Sequence, residues 1–126
     1  MKMILVIAAG GAFGAVARHL VNNQVSAWFG DRFPWGILTV NVAGSFAMGV
    51  LAGVTALVWA SSQEARAFLM VGFLGAFTTF STFSLQVALL YDRGQMALAA
   101  LYIVLSVLLA VGGLFAGLAL VKSFAL

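Results

Sequence analysis

Charged side chains are so sparse in this 126-residue chain that they divide it into four long uncharged runs, 3–17, 33–63, 67–91 and 94–121. Only 7% of the residues are charged and 64% are hydrophobic, whereas ordinary soluble domains carry about 25% charged residues. A chain of this kind folds in a membrane. A spanning helix needs about 20 predominantly apolar residues, so the last three runs qualify outright. The first qualifies if its helix continues past Arg18 toward Val21, with that guanidinium snorkelling, paired or in a wet cavity. The expectation is one all-α membrane domain, 1–126, with four transmembrane helices at roughly 3–21, 34–59, 67–91 and 96–121.

Lys2, the apolar run behind it and Ala15-Val16-Ala17 imitate a signal peptide with a small-residue cleavage site. Gly10 and Gly14, spaced as GxxxG inside that run, favour a permanent packed helix instead. With no cysteine, neither a disulfide framework nor a thiolate metal site can form. The net charge of +3 comes from six basic residues scattered singly, which leaves nucleic-acid binding without support. Those basic residues also bear on orientation, because Lys and Arg near span ends set topology. Four spans place Lys2, Arg66 and Lys122 on one side and Arg18, Arg32 and Arg93 on the other. That balance predicts insertion in both orientations and pairing as an antiparallel, dual-topology homodimer.

Trp28, Trp35, Trp59 and Tyr91 fall near the expected span ends, where amphipathic rings settle at headgroup level. Pro34 marks the start of the second helix, where a missing N–H has no cost. Gly49 with Gly53 and Gly113 with Gly117 repeat the GxxxG spacing of Gly10 and Gly14, as expected of helices that associate by close packing in lipid. The connections, roughly 22–33, 60–65 and 92–95, are too short for a soluble domain. Whatever this chain does, it does inside the membrane.

No uncharged run contains an acid, base or histidine, and Asp31, Glu64 and Asp92 fall between runs. Proton-coupled carriers normally need an intramembrane ionisable group. This argues against a small dual-topology multidrug-type exporter, the alternative for a chain of this shape. His19 beside Arg18 has no acid nearby in sequence, and a hydroxyl nucleophile without a base is inert, so the chain is not expected to be an enzyme.

The polar residues within the spans are Thr39, Asn41, Ser45 and Thr55, then Thr78, Thr79, Ser81, Thr82, Ser84 and Gln86, then Tyr102 and Ser106. Single hydroxyls usually bond back to the carbonyl four residues earlier. Asn41 differs, because its two-donor carboxamide cannot satisfy itself within its own helix. Phe77, Phe80 and Phe83 recur every three residues and would share one helical face, with Thr78, Ser81 and Thr82 beside it. This is either an aromatic packing stripe or the wall of an anion path, since the positive edge of a ring contacts an anion without supplying a charge that traps it. Gly72 and Gly75 precede bulky or β-branched positions, where the helix is expected to break near Gly75 to Thr78 and expose carbonyls. Two such breaks meeting at a dimer axis would hold a cation.

Three segments, Gly10-Gly-Ala-Phe-Gly-Ala-Val-Ala-Arg18, Gly36-Ile-Leu-Thr-Val-Asn-Val-Ala-Gly-Ser-Phe46 and the stretch from Gly72 to Ser84, resemble the Fluc, or CrcB, fluoride channel family, in order and at suitable spacing. The resemblance implies a passive fluoride exporter of the plasma (inner) membrane, an antiparallel homodimer with two pores, which releases fluoride left behind when HF enters an acidified cell and dissociates. Carried over residue by residue, it implies Asn41 as the pore amide and Phe80 and Phe83 as the rings facing fluoride. Ser81, Thr82, Tyr102 and Ser106 would form a polar track. It further implies a structural sodium ion on the Gly75 and Thr78 carbonyls and a wet vestibule at Arg18 and Gln86. In the family pattern a glutamate follows the Thr-Phe-Ser-Thr-Phe-Ser motif two residues later. Here Gln86 keeps the size and an acceptor but removes the charge.

Overall fold

A computed structural model describes residues 1–125. The chain forms α1 (Lys2–Phe29), α2 (Trp35–Leu57), a composite α3 over 63–77, α4 (Phe80–Asp92) and α5 (Met96–Ala125). Counting α3 and α4 as one interrupted span, Gln63–Asp92, four helical segments among the described residues are long and apolar enough to cross a membrane.

Every span except α2 runs longer than the hydropathy pattern alone predicts. α1 has 28 residues, about 42 Å at 1.5 Å per residue, against about 30 Å of hydrocarbon. The polar stretch Asn22-Asn23-Gln24 therefore continues the helix rather than opening the expected loop at 22–33. Polarity does not end a helix; Gly30 does, with a φ of 85° that L side chains rarely adopt. α2 then begins directly after Pro34, as the sequence led us to expect.

Glycines set how closely the helices approach. A Cβ on Gly49 would collide with the Leu114 carbonyl, and one on Gly117 with the Phe46 carbonyl, so α2 and α5 meet backbone to backbone. Val42 faces Gly113 and Val121 faces Gly53. Residue numbers rise together along the seam, so the two helices run parallel. Gly10 and Gly14 abut the backbones of Phe68 and Phe73, and a Cβ on Gly72 would in turn press on the Ile7 carbonyl and the Gly10 Cα, joining α1 to α3. Such close approach is how helices associate where lipid gives no hydrophobic preference for a neighbouring helix. The large side chains left outside, among them Ile4, Phe13, Leu20, Leu108 and Phe115, are exposed, as lipid-facing residues are.

Ala67–Leu74 within α3 is a π-helix, which no periodicity in the sequence announces. The break itself lies at Thr78 and Thr79, both extended, with φ, ψ of −85°, 157° and −152°, 119°. Gly75, near which the break was expected, is helical at −61°, −36°. Its position sits at the C-terminal edge of the anticipated stretch because β-branched threonine favours extended backbone, while Gly72 serves packing. The break also separates residues expected on one face. Phe77 stacks on Phe73, with centroids 6.0 Å apart, whereas Phe80 pairs with Phe83 at 5.4 Å.

The seam gives a direct test. Gly49→Ala should lower stability by about 1–3 kcal/mol, because the opposing atom is backbone and cannot rotate away. Gly112→Ala, with nothing within 4 Å of the added carbon, should be neutral or stabilising by up to about 1 kcal/mol. Thermal unfolding in detergent, followed by loss of a monodisperse elution peak, measures both.

Candidate functional site

Two extended residues inside a membrane helix strand backbone groups that lipid cannot satisfy. In an extended residue the N–H and C=O point the same way, as in a strand, and Asn41 on α2 meets both. The Thr79 N–H donates to Asn41 Oδ1 at 2.8 Å, and Asn41 Nδ2 donates to the Thr79 carbonyl at 3.1 Å. This reciprocal pairing fixes the orientation of the amide. Nδ2 carries a second hydrogen that the clamp does not use.

The start of α4 is capped from the same residue. Thr79 Oγ1 accepts from the Thr82 N–H at 3.1 Å and lies 3.3 Å from Ser81 Oγ, the usual role of threonine at a helix N-terminus. In a continuous helix the Thr79 N–H would bond to the Gly75 carbonyl. Its diversion to Asn41 frees that carbonyl.

Beside the clamp lies a groove of about 300 Å³ between α2, α4 and α5, lined by Asn41, Ser45, Thr78, Thr79, Phe80, Phe83, Ser106, Val107, Ala110 and Val111. It therefore gathers Asn41, Phe80, Phe83 and Ser106 from the sequence-derived set, along with Thr78. Phe83 is buried on its wall, while Phe80 is exposed at its rim. Ser106 Oγ is buried and has no hydrogen-bond partner.

A second cavity, about 350 Å³, lies among Asn22, Asn23, Ser26, Asp31, Phe33, Pro34, Gln86, Leu89, Leu90 and Arg93. Tyr102 stands between the two. It is fully buried, with its ring 5.0 Å from Phe83 and 5.5 Å edge-on to Phe33, and its hydroxyl donates to Gln86 Oε1 at 2.7 Å. Gln86 thus opens onto one cavity and is tied through Tyr102 to the wall of the other. The backbone break, the aromatic pair and the hydroxyl track are one continuous assembly.

Three further residues of the sequence-derived set, Ser81, Thr82 and Arg18, line neither cavity. Ser81 is exposed and Thr82 half-buried, and neither lines the groove. Turning α4 at the Thr79 cap directs Phe80 and Phe83 to the groove, leaving the hydroxyls between them on other faces. Arg18 is half-buried on α1 and lines neither cavity. Conversely, Thr79 and Ser45 line the groove although sequence reasoning gave neither a site role. The Thr-Thr pair before a helical stretch is a capping signal that would have found Thr79.

The fold and site define a multi-pass membrane protein whose groove is lined by neutral polar side chains and aromatic rings. Residues 5–118 match the family model described as CrcB-like protein, Camphor Resistance (CrcB), and the chain belongs to the CrcB family. It is 62% identical over 123 residues, 98% of each chain, to a protein of Rhodospirillum centenum named fluoride-specific ion channel FluC. A protein of the same name from Nitrobacter winogradskyi is 52% identical across 94% of each chain. Another from Agrobacterium fabrum is 46% identical across 95% of this chain and 96% of the relative.

The clamp predicts unusual protection outside regular structure. The Thr79 amide should resist hydrogen exchange as helical amides do, and Asn41→Ala should speed its exchange at least about tenfold, the value of one lost buried bond. Exchange measured residue by residue in detergent checks this.

Proposed function

We propose that this protein is a fluoride-selective channel that lets fluoride leave the cytoplasm passively across the plasma (inner) membrane and so relieves fluoride toxicity. It catalyses no reaction. The observation that carries the reading is the groove, where the unused Asn41 N–H, the unpartnered Ser106 hydroxyl and the Phe80 and Phe83 rings face a common space. The names of the relatives supply the ion.

The chemistry suits a small, strongly hydrated anion. Amide and hydroxyl donors replace part of its water shell, and ring edges contact it through the positive rim of their quadrupole. Conduction requires binding that is favourable yet weak. A groove without lysine or arginine among its lining residues meets that need, since a buried full charge would hold the anion. Tyr102 and Gln86 continue the polar route toward the second cavity, which serves as the vestibule. Arg18 attracts anions from a distance rather than from the vestibule wall.

The functional unit is an antiparallel homodimer inserted in both orientations, with two pores. Supporting this are the even split of basic residues and the exposure of Phe80, 77% in the single chain, which leaves one wall of the groove to a second copy. The freed Gly75 carbonyl, on an exposed residue at the break, fits an alkali cation, and so does the Thr78 carbonyl at the helix end. Among the described residues no group of three His, Cys, Asp or Glu could hold a metal, so only neutral oxygens are offered here. These carbonyls would hold a structural sodium ion at the dimer axis, whose charge would offset the dipoles facing it.

Purified protein in liposomes should release fluoride rapidly once potassium permeability balances charge, and should exclude chloride. Equal leakage of the two ions would refute selectivity. Phe80→Ile should reduce fluoride flux by at least about 100-fold, roughly 3 kcal/mol of barrier, while the dimer stays assembled. Reporters fused to the C-terminus and active on one side only should both give signal, because each orientation is populated; signal from one side alone would remove dual insertion.

A further inference from the structure

Along α5 the groups facing the polar route are Tyr102, Ser106 and Ala110, one turn apart. The hydroxyl ladder on that helix therefore stops at Ser106. Parallel packing of α2 on α5, with Val42 beside Gly113 and Phe46 beside Gly117, places Asn41 near the level where α5 has run out of polar side chains. One turn further along α2, on the wall of the same groove, is Ser45. Neighbouring Gly44 packs against Thr78 and Phe77, so Ser45 lies beside the break.

The hydroxyls of Thr39, Thr55, Thr78 and Ser84 are each occupied by a carbonyl of their own helix. Ser106, by contrast, is buried without a partner, aimed into this groove. A route that ended at Asn41 would leave an anion with one N–H and apolar Val107, Ala110 and Val111 around it. A hydroxyl on the next turn of α2 prevents that step, because its hydrogen rotates to meet whatever acceptor arrives.

We propose that Ser45 is a further ion-contacting residue: the anion path crosses from the hydroxyls of α5 to α2 at Asn41 and continues on the Ser45 hydroxyl. The proposal rests on the channel reading above. Its consequence is that removing one oxygen atom, with no change of charge and little change of shape, slows conduction.

The test compares fluoride efflux from liposomes for the parent protein, Ser45→Ala and Thr55→Val, the last removing a hydroxyl occupied within its own helix. Ser45→Ala should conduct at least about tenfold more slowly, the effect of one hydrogen bond to a charged group, while Thr55→Val stays within about twofold of the parent, less than half a kcal/mol of barrier. Parent-like flux from Ser45→Ala would overturn the role of Ser45. An equal loss in Thr55→Val would also overturn it, because any lost hydroxyl would then have the same effect. If Ser45→Ala is not monodisperse, Ser45→Cys decides, because a thiol keeps the shape but donates weakly. Slower flux supports the proposal and unchanged flux overturns it. Absence of fluoride flux from the parent itself would instead defeat the channel reading, so the two failures are distinguishable.

Discussion

The architecture turns on how two extended residues, Thr78 and Thr79, are tolerated in the middle of a membrane span. Lipid offers no hydrogen bonds, so a broken helix survives only where protein satisfies the freed groups. Thr79 is satisfied by a single side chain, Asn41, through two bonds to its N–H and carbonyl. The same pairing ties α2 to the third span, frees the Gly75 carbonyl and orients the amide so that its second hydrogen is left over. A structural need and a polar site are met by one carboxamide.

The glycine seams make that pairing reachable. Backbone contact at Gly49 and Gly117 draws α2 against α5, and side-chain hydrogen bonds across helices form only when axes are close. Gly10, Gly14 and Gly72 do the same for α1 and the π-helical segment. Above the α2–α5 contact, Tyr102, Phe83 and Phe33 fill the space with rings rather than backbone, which separates the two cavities while leaving the Tyr102 hydroxyl bonded to Gln86. Rigid seams thus flank a groove whose walls are set by packing, not by charge.

Much of this was legible in the chain. Sparse charge gave four spans, GxxxG spacing gave the packing surfaces, and a two-donor amide in an apolar run marked Asn41 as needing a partner outside its own helix. The partner was not legible. Spacing alone puts Phe77 on one face with Phe80 and Phe83, and a two-residue extended segment removes it from that face. Spacing likewise puts Ser81 and Thr82 beside the aromatic stripe, and in the fold both meet the Thr79 hydroxyl rather than the groove. The π-helix at Ala67–Leu74 left no trace in composition, because its register depends on what it packs against.

Hydropathy and helix length are local properties of the chain, so the residues alone make this a multi-pass membrane protein with its polar groups concentrated in the third span. Which polar groups share a site follows from how the helices pack. Asn41 and Thr79 are 38 positions apart, and Ser45 and Ser106 line one groove because α2 and α5 pack against each other at glycine distance. Contacts of that kind are fixed by the register of one helix against another, which no single segment encodes.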